Sequence, residues 1–338
     1  MAHPVSRDQA QGSLIGMALG NSLGFLVSGE PPKYCADFAR HALTDTEPPW
    51  LEKDDFAFGQ YVIDVQLARE LGLSLVEAHG FDPTLFAARL AELFRSGGAI
   101  AAGKATTRAA KRLVSGMVWA QAGEPAPAAG NGAAVRAVPI GLSFKDARKR
   151  TGAAEMQASV THHDERAQAA AVLVAESVFI AATQRNTPRQ AVLEHFAAVI
   201  DTSDTRLSNG LRTLERALAL PPEKAAVHLS AAGFVAGDGF PQTTTISPFS
   251  TPSILFGLYA FLRSPDEPAE VLEAALSGGG DTASIGAFAG ALLGARLGLS
   301  GLGEPLTSWS AQLGDRGEHG RDALLALGAA LVDRRKKR

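Results

Sequence analysis

Cysteine and aromatic residues are scarce in this chain of 338 residues, and neither sign of charge is in large excess. Cys35 is the only cysteine, which excludes an internal disulfide and any zinc or iron–sulfur site built from the cysteines of one chain. The 32 basic and 35 acidic residues give a net charge of -3, so no basic excess favours nucleic acid or an anionic membrane. We therefore expect no nucleic-acid partner and no membrane partner.

Long uninterrupted apolar runs are also lacking. The apolar stretch over 14–27 is broken by glycines and by Asn21 and Ser22, and the N-terminus has no basic segment leading into an apolar one. The single cysteine fits a reducing compartment. These features predict a soluble, cytoplasmic protein.

The residues that are present predict a helical globule. Ala/Leu-rich segments with apolar positions three and four residues apart dominate a composition that is 46% hydrophobic, whereas alternating β-branched runs are rare. We expect a single all-α domain over residues 8–335. The clearest predicted helices cover 55–71, 84–95, 104–122, 165–184, 188–200, 205–219, 252–263 and 282–298.

Two segments carry glycine at every fourth position. Each glycine inside a helix costs about 1 kcal/mol relative to alanine, so a repeat of them needs an offsetting close contact. That contact is either tight packing against another helix or the approach of a ligand, and we expect the two striped helices at the centre of the fold. The glycines are Gly12, Gly16, Gly20 and Gly24, and Gly286, Gly290, Gly294 and Gly298.

Two acidic segments are candidate sites. Asp54 and Asp55 fall at the predicted start of the helix over 55–71, where they either compensate the helix dipole or offer hard oxygen ligands to Mg²⁺ or Ca²⁺. Gly278–Gly280 precede Asp281 at the second glycine-striped helix. This loop either cradles a phosphate and holds Asp281 towards a cation, or is a flexible loop with an ordinary helix cap.

The middle of the chain offers a loop and a histidine pair. Asn131 and Gly132 lie in a Gly/Asn loop that leads to Arg136, and His162 and His163 precede a long helix. Adjacent histidines point in different directions, so capping or surface positions compete with a role as ligands.

In order along the chain, these segments resemble the ADP-ribosylglycohydrolase family, which includes enzymes like the dinitrogenase-reductase-activating glycohydrolase. GSLIGMALGNSLG is similar to the family's G-x-L-x-G-x-A-x-G-D-A-L-G helix, and KDDF to T-D-D-T. GNGAAVRAVPIGL resembles G-N-G-A-x-M-R-x-x-P-I-G, and THHDERAQAAA resembles T-H-x-x-x-R-A-x-x-A-A. GGGDTASIGAFAGALLGARLG resembles the closing G-G-D-T-D-T-I-G-A-x-A-G-A-L-x-G-A-x-x-G, so the likeness spans residues 12–298.

The resemblance implies an all-α domain whose central cleft holds two Mg²⁺ ions and removes ADP-ribose from modified substrates. Transferred by position, the metal ligands are Asp54, Asp55, Asp281 and Ser284, and the three aspartates are also catalytic. The positions expected along the ADP-ribose are Ser28, Asn131, Gly132, His162, Gly278, Gly279 and Gly280.

Four departures from the family motifs concern this centre. Asn21 replaces the aspartate of G-D-A-L-G, Ser28 aligns with an acidic position, Lys53 precedes the aspartate pair, and Ala283 replaces the second aspartate of D-T-D-T. Losing a carboxylate at Ala283 and gaining an ammonium at Lys53 adds the charge of one Mg²⁺. We therefore expect at most one Mg²⁺, or none, with Lys53 standing in for an ion.

These residues support three functional hypotheses. The first is an ADP-ribosyl hydrolase that cleaves the N- or O-glycosidic bond of ADP-ribosylated proteins or small molecules with a one-metal or metal-free centre. The alternative is a catalytically reduced relative that binds ADP-ribose or an ADP-ribosylated partner without hydrolysis. The third is a helical structural protein, which the retained glycine-rich loops disfavour.

Overall fold

The computed structural model describes residues 4–200, 205–234 and 244–333, and within them the fold is all-α with a single short hairpin. The end of the predicted domain at residue 335 lies outside the described residues. The helices are α1 (Arg7–Leu26), α2 (Pro32–Thr44), α3 (Ile63–Glu77), α4 (Pro83–Arg95), α5 (Lys104–Val114), α6 (Trp119–Ala122), α7 (Gly132–Val135), α8 (Val138–Ser143), α9 (Ala147–Ser159), α10 (Glu165–Thr183), α11 (Arg189–Ile200), α12 (Thr205–Ala217), α13 (Pro222–Leu229), α14 (Ser250–Arg263), α15 (Pro268–Leu276), α16 (Thr282–Leu297), α17 (Leu306–Trp309) and α18 (Arg321–Asp333). The strands are β1 (Glu52–Lys53) and β2 (Phe56–Ala57), and a 3₁₀ turn covers Ser310–Gln312.

The all-α prediction is confirmed, and most predicted helices agree with the structure to within a few residues. One buried hydrophobic cluster contains side chains from α1 through α18, which joins the described elements around a common core. The predicted helix over 104–122 is shorter than expected. It ends at Val114 because Gly116 adopts a φ of +92°, outside the helical region.

The predicted helix over 55–71 is wrong at its N-terminal end. Residues 52–57 form an antiparallel hairpin in which Lys53 pairs with Phe56. Asp54 and Asp55 make its two-residue turn with φ of 52° and 64°. Two successive positive φ values are those of a type I′ turn and are incompatible with a right-handed helix. Helix α3 begins only at Ile63.

The two glycine stripes meet each other. Helices α1 and α16 run antiparallel, so that Gly16 lies against Gly290 and Gly20 against Gly286. A Cβ atom added to Gly16 would lie 2.2 Å from the Gly290 carbonyl oxygen, and one added to Gly290 would lie 2.0 Å from the Gly16 carbonyl oxygen. The backbones are therefore in direct contact, which explains why both helices carry glycine at these positions.

This contact sets the position of the N-terminus of α16. Thr282 Oγ1 donates to the Gly24 carbonyl oxygen over 2.6 Å, so the start of α16 is fixed beside the end of α1. Asn21, one turn earlier on α1, faces the same region and donates from Nδ2 to the Ala283 carbonyl oxygen over 3.2 Å. Side chains at the start of α16 are thereby held at the centre of the fold.

Helix α10 is the central apolar helix on the other side of α16. Among the described residues it alone is long and apolar enough to cross a membrane, with a mean hydropathy of 1.3 over its most apolar window. That window is 94% buried inside the protein. The apolar side chains of α10 therefore pack in the protein core.

The glycine contact predicts opposite effects for the same substitution at two helical positions. Gly290→Ala places a methyl group against the Gly16 backbone and should lower the free energy of unfolding by about 3 kcal/mol, since neither backbone can retreat. Gly152→Ala in α9 meets no atom within 4 Å and should raise that free energy by about 0.5–1 kcal/mol. Urea denaturation measures both, and equal effects would contradict the proposed backbone contact.

Candidate active site

One buried and one partly buried carboxylate lie at the N-termini of α3 and α16. Asp64 is in the first turn of α3 and is 4% exposed, and Asp281 directly precedes α16. Ser284 lies beside both: its hydroxyl donates to Asp64 Oδ2 over 3.0 Å, and it stabilises the charge of Asp281. Two acidic groups far apart in sequence therefore share one polar centre at the positive ends of two helices.

Asn21 joins the three helices that form this centre. Its Oδ1 accepts a hydrogen bond from the Val62 backbone N–H over 2.7 Å, at the entrance to α3. Its Nδ2 donates to Asp64 Oδ2 over 3.3 Å, in addition to the Ala283 carbonyl oxygen. The side chain is fully buried, so both ends of its amide are satisfied by protein.

The Gly/Asn loop before α7 reaches the same centre. Asn131 Nδ2 donates to Asp281 Oδ2 over 2.6 Å and to Ser253 Oγ of α14 over 3.0 Å. The Asn131 backbone N–H donates to the Pro248 carbonyl oxygen over 3.0 Å, which fixes the loop. Gly132 follows as the first residue of α7. The structure thus brings Asn131 and Asp281, two predicted site residues, into direct contact.

His162 lies beside this loop and is 2% exposed. Its Nδ1 is 2.7 Å from Thr161 Oγ1, and its Nε2 is 3.3 Å from the place where a Cβ on Gly130 would stand. Burial, with a further contribution from the charge of Arg136, lowers the pKa of His162 to about 3. The imidazole is therefore neutral at physiological pH.

Burial also dominates the ionisation of the two aspartates. Burial, with a smaller contribution from the charge of Asp281, raises the pKa of Asp64 to about 7, against the hydrogen bonds from Ser284 and Asn21 and the charge of Arg136. The pKa of Asp281 is raised by burial as well, and its hydrogen bond from Asn131 partly offsets this. Two carboxylates in this environment resist being ionised together, so the pair favours holding one proton or a bound cation.

The loop Gly278–Gly280 is explained by packing. A Cβ on Gly278 would meet the Phe256 ring at 2.5 Å, and one on Gly280 would meet the Ile246 carbonyl oxygen at 2.2 Å. Gly279 and Gly280 also adopt positive φ values of 60° and 71°. Glycine is required here by sterics and backbone conformation, and these contacts lead the chain into Asp281.

Asp54 and Asp55 are not at this centre. Both are exposed at the tip of the hairpin, where their positive φ values favour short polar residues. The prediction that they begin a helix is therefore wrong, and no described hydrogen bond joins either carboxylate to Asp281 or Ser284. Their adjacency is explained by the turn.

Lys53 and Ser28 lie at the edge of the site. The Lys53 ammonium donates to the Ser28 carbonyl oxygen, and the Ser28 hydroxyl contacts the Gly280 carbonyl oxygen at 3.4 Å. Among the described ion pairs none joins Lys53 to a carboxylate. In the described structure Lys53 contacts a backbone carbonyl oxygen, and the expectation that it stands in for a metal ion stays a prediction.

Apolar side chains occupy one flank of the centre. Ala283 belongs to a small buried cluster with Phe25, Val62 and Ile100, against which Phe56 of the hairpin packs. The Phe25 and Phe56 rings lie 6.5 Å apart between centroids. This flank offers no oxygen ligand from side chains.

Asp64 is the site residue that the sequence analysis missed. It stands in the segment VIDV over 62–65, the first turn of α3, and it is Asp64 that meets the closing motif at Ser284. We infer that VIDV, and not KDDF, corresponds to the family's T-D-D-T, with Val62 and Ile63 in place of the first threonine and aspartate. A lone aspartate within an apolar helical repeat was the available signal, because such a residue is buried only when it has partners.

The acidic groups of this donor set are the carboxylates of Asp64 and Asp281. The described residues contain no group of three or more His, Cys, Asp or Glu side chains that could hold a metal ion. Asp64, Asp281 and the Ser284 hydroxyl nevertheless place oxygen atoms side by side. One or two carboxylates with water in the remaining positions are a usual Mg²⁺ site, so a single ion fits.

Comparison with known proteins identifies the same family along the chain. A family model described as ADP-ribosylglycohydrolase matches residues 2–338. The chain is 27% identical over 322 residues to the ADP-ribosylhydrolase ARH3 of Gallus gallus, covering 85% of each protein. It is also 27% identical over 284 residues to an uncharacterized protein of Archaeoglobus fulgidus, covering 84% of this chain and 86% of that one.

A solved structure shares the fold. It is titled as an ADP-ribosylglycohydrolase-related protein complex, and it superposes with a TM-score of 0.68 at 24% sequence identity. The superposition covers 97% of this chain and 98% of that chain. At this identity the likeness establishes the architecture.

The pKa of Asp64 predicts how stability depends on pH in metal-free protein. The folded-state value of about 7 exceeds the unfolded value of about 3.9, so the folded state binds more protons between these values. The contribution of Asp64 to stability is therefore largest at low pH and is lost as pH rises through about 7. Asp64→Asn removes this titration. Urea denaturation in EDTA measures the free energy of unfolding of both proteins. The value for the variant minus the value for the wild type should rise by about 1–3 kcal/mol from about pH 5 to about pH 8.

A difference between the two proteins that does not change with pH would contradict this assignment. Far-ultraviolet circular dichroism of both proteins provides the control for an altered fold.

Proposed function

The chain belongs to the ADP-ribosylglycohydrolase family, and from this premise we propose that it hydrolyses the glycosidic bond between ADP-ribose and a modified protein or small molecule. The observation that carries the proposal is the meeting of Asp64 and Asp281 beside Ser284, with Asn131 donating to Asp281. This places a pair of acidic groups in a polar centre whose other partners are neutral. We further propose that the centre works with at most one divalent cation.

The paired carboxylates are suited to glycoside hydrolysis. Neighbouring buried carboxyl groups with separated proton affinities can divide the work, because one keeps its proton while the other is ionised. The ionised group accepts a proton from the water that attacks the anomeric carbon, and the protonated group returns one to the leaving atom. With a pKa of about 7, Asp64 changes protonation state near neutral pH.

The other residues of the centre orient this pair. Asn131 holds the Asp281 carboxylate through its amide, and Ser284 holds Asp64 through its hydroxyl. Where one cation is bound, Asp64, Asp281 and Ser284 would hold it, and it would supply Lewis-acid stabilisation to the ribose oxygens and to water. With or without a cation, Asn21 helps to orient Asp64 by donating from Nδ2 to the Asp64 carboxylate.

Substitution of the two aspartates tests this proposal. Asp64→Asn and Asp281→Asn keep the side-chain shape but remove the proton-transferring group, so ADP-ribose release should fall by about 10²-fold or more. Asp54→Asn and Asp55→Asn should leave release unchanged within about twofold, since asparagine suits the positive φ values of the hairpin turn. Release of ADP-ribose from arginine-linked and serine-linked substrates is the measurement.

Binding of free ADP-ribose, measured in parallel by calorimetry, separates the functional classes. Binding without release from either linkage would support the non-hydrolysing alternative. Neither binding nor release, or an equal loss in the two hairpin variants, would contradict the proposed site.

The metal content of the centre is a second test. We expect calorimetric titration with Mg²⁺ to give a stoichiometry of at most one ion, because Ile63 and Ala283 stand where the family motifs have aspartate. The double variant Ile63→Asp/Ala283→Asp should bind more Mg²⁺ than the wild type. Ala283→Asp alone provides an intermediate case with less risk to folding.

Lys53→Thr is the matched control for the metal experiment. Because the Lys53 ammonium donates to the Ser28 carbonyl oxygen, its removal should leave the Mg²⁺ stoichiometry unchanged. Two well-occupied ions in the unmodified protein would show that the one-ion centre is wrong.

A further inference from the structure

Arg136 is a buried cation whose direction is fixed from several sides. It follows α7 and is fully buried, with Nε donating to Gln157 Oε1 over 2.7 Å and Nη2 donating to the Gln157 carbonyl oxygen over 2.9 Å. The guanidinium also lies 5.4 Å from the centroid of the Phe86 ring. Nη2 makes one further contact, donating to Thr161 Oγ1 over 2.8 Å.

The chemistry of these groups favours one arrangement of their protons. A guanidinium has only donors, so the Thr161 hydroxyl oxygen accepts from Arg136. Among the described residues the hydroxyl has no other acceptor within hydrogen-bond distance, which directs its proton to His162 Nδ1 at 2.7 Å. If Nδ1 accepts that proton, it carries none of its own, and a neutral imidazole must bear its hydrogen on Nε2.

The Nε2 edge of the ring faces the loop of the candidate site. It lies beside Gly130, the residue before Asn131, and the described structure gives Nε2 no hydrogen-bond partner. The orientation of the ring is held by its burial and by the contact of Nδ1 with Thr161 Oγ1. Burial also keeps the ring neutral, in agreement with its low pKa.

We propose that Arg136 and Thr161 are positioning residues that hold His162 in the Nε2–H tautomer, so that His162 offers the ligand a hydrogen-bond donor and not a general base. The donor would face an oxygen of ADP-ribose next to the Asn131 loop. This last step rests on the proposed function, whereas the tautomer itself is a property of the protein without ligand.

The tautomer is directly measurable by NMR. In protein labelled with ¹⁵N-histidine, the wild type should show His162 Nδ1 with the chemical shift of an unprotonated ring nitrogen and Nε2 with that of a protonated one. The variant His162→Gln, which lacks these signals, assigns them among the eight histidines. A protonated Nδ1 in the wild type would overturn the proposal.

Two substitutions of Thr161 test the cause. Thr161→Val removes the hydroxyl at nearly constant volume and should lose the Nε2–H preference and weaken ADP-ribose binding about tenfold, the effect of one hydrogen bond. Thr161→Ser restores the hydroxyl and should recover both. Thr183→Val is the matched control, because Thr183 is also buried and its hydroxyl donates to the Phe179 carbonyl oxygen within α10.

The outcomes separate this proposal from the proposed function. An unchanged His162 spectrum in Thr161→Val, or equal losses in the Val and Ser variants, would overturn the positioning role. An Nε2–H tautomer in a wild type that binds no ADP-ribose would leave the arrangement intact and contradict the proposed function and the donor role instead.

Discussion

Direct backbone contact between α1 and α16 is the constraint on which the rest of the structure depends. Four glycines in α1 and three in α16 give up about 1 kcal/mol apiece of helix propensity, and the close antiparallel approach returns dispersion contacts along the interface. A Cβ on Gly20 would lie 2.0 Å from the Gly286 carbonyl oxygen, so the separation of the helices admits no side chain. The same contact places Asp281 and Ser284 beside Asn21 of α1. The candidate site therefore depends on the alignment of the two glycine stripes.

The charges buried at this place limit what the site can hold. Asp64 and Asp281 supply two negative charges when ionised, and Arg136 supplies one positive charge, which acts on Asp64 through space. His162 is neutral, and Lys53 is directed to a backbone carbonyl oxygen. One negative charge is left unbalanced in a region of low dielectric constant, where it is costly. One proton balances the centre, and one dication leaves it with a single excess positive charge, whereas two dications exceed the available compensation.

Sequence periodicity predicted a helix well where a residue next to it in sequence caps its start. It failed where the start is fixed by a contact from another helix. Helix α4 begins after Asp82, whose side chain caps it, and its predicted and observed ranges agree closely. Helix α3 has no side-chain cap, because its N-cap Val62 carries no acceptor; its entry is held instead by Asn21 of α1, which accepts from the Val62 N–H. Because no local signal marks Ile63, the start of the helix was predicted at the adjacent Asp54 and Asp55, which in the structure form the hairpin turn. Asp64 was missed for the same reason, since its partners come from other helices.

The missing metal ligands are also linked to the hairpin that the sequence did not predict. Ala283 and Val62 replace an aspartate and, in the register inferred here, a threonine, and both face Phe25 and Ile100 in one buried cluster. Phe56 of β2 covers that cluster, so the hairpin is docked on the flank where further oxygen ligands would stand. A carboxylate introduced at Ala283 would be buried against these rings unless a cation paired with it. The packing of the hairpin is therefore coupled to the polarity of this flank: while Phe56 stays against Phe25 and Ala283, the flank is occupied by apolar side chains.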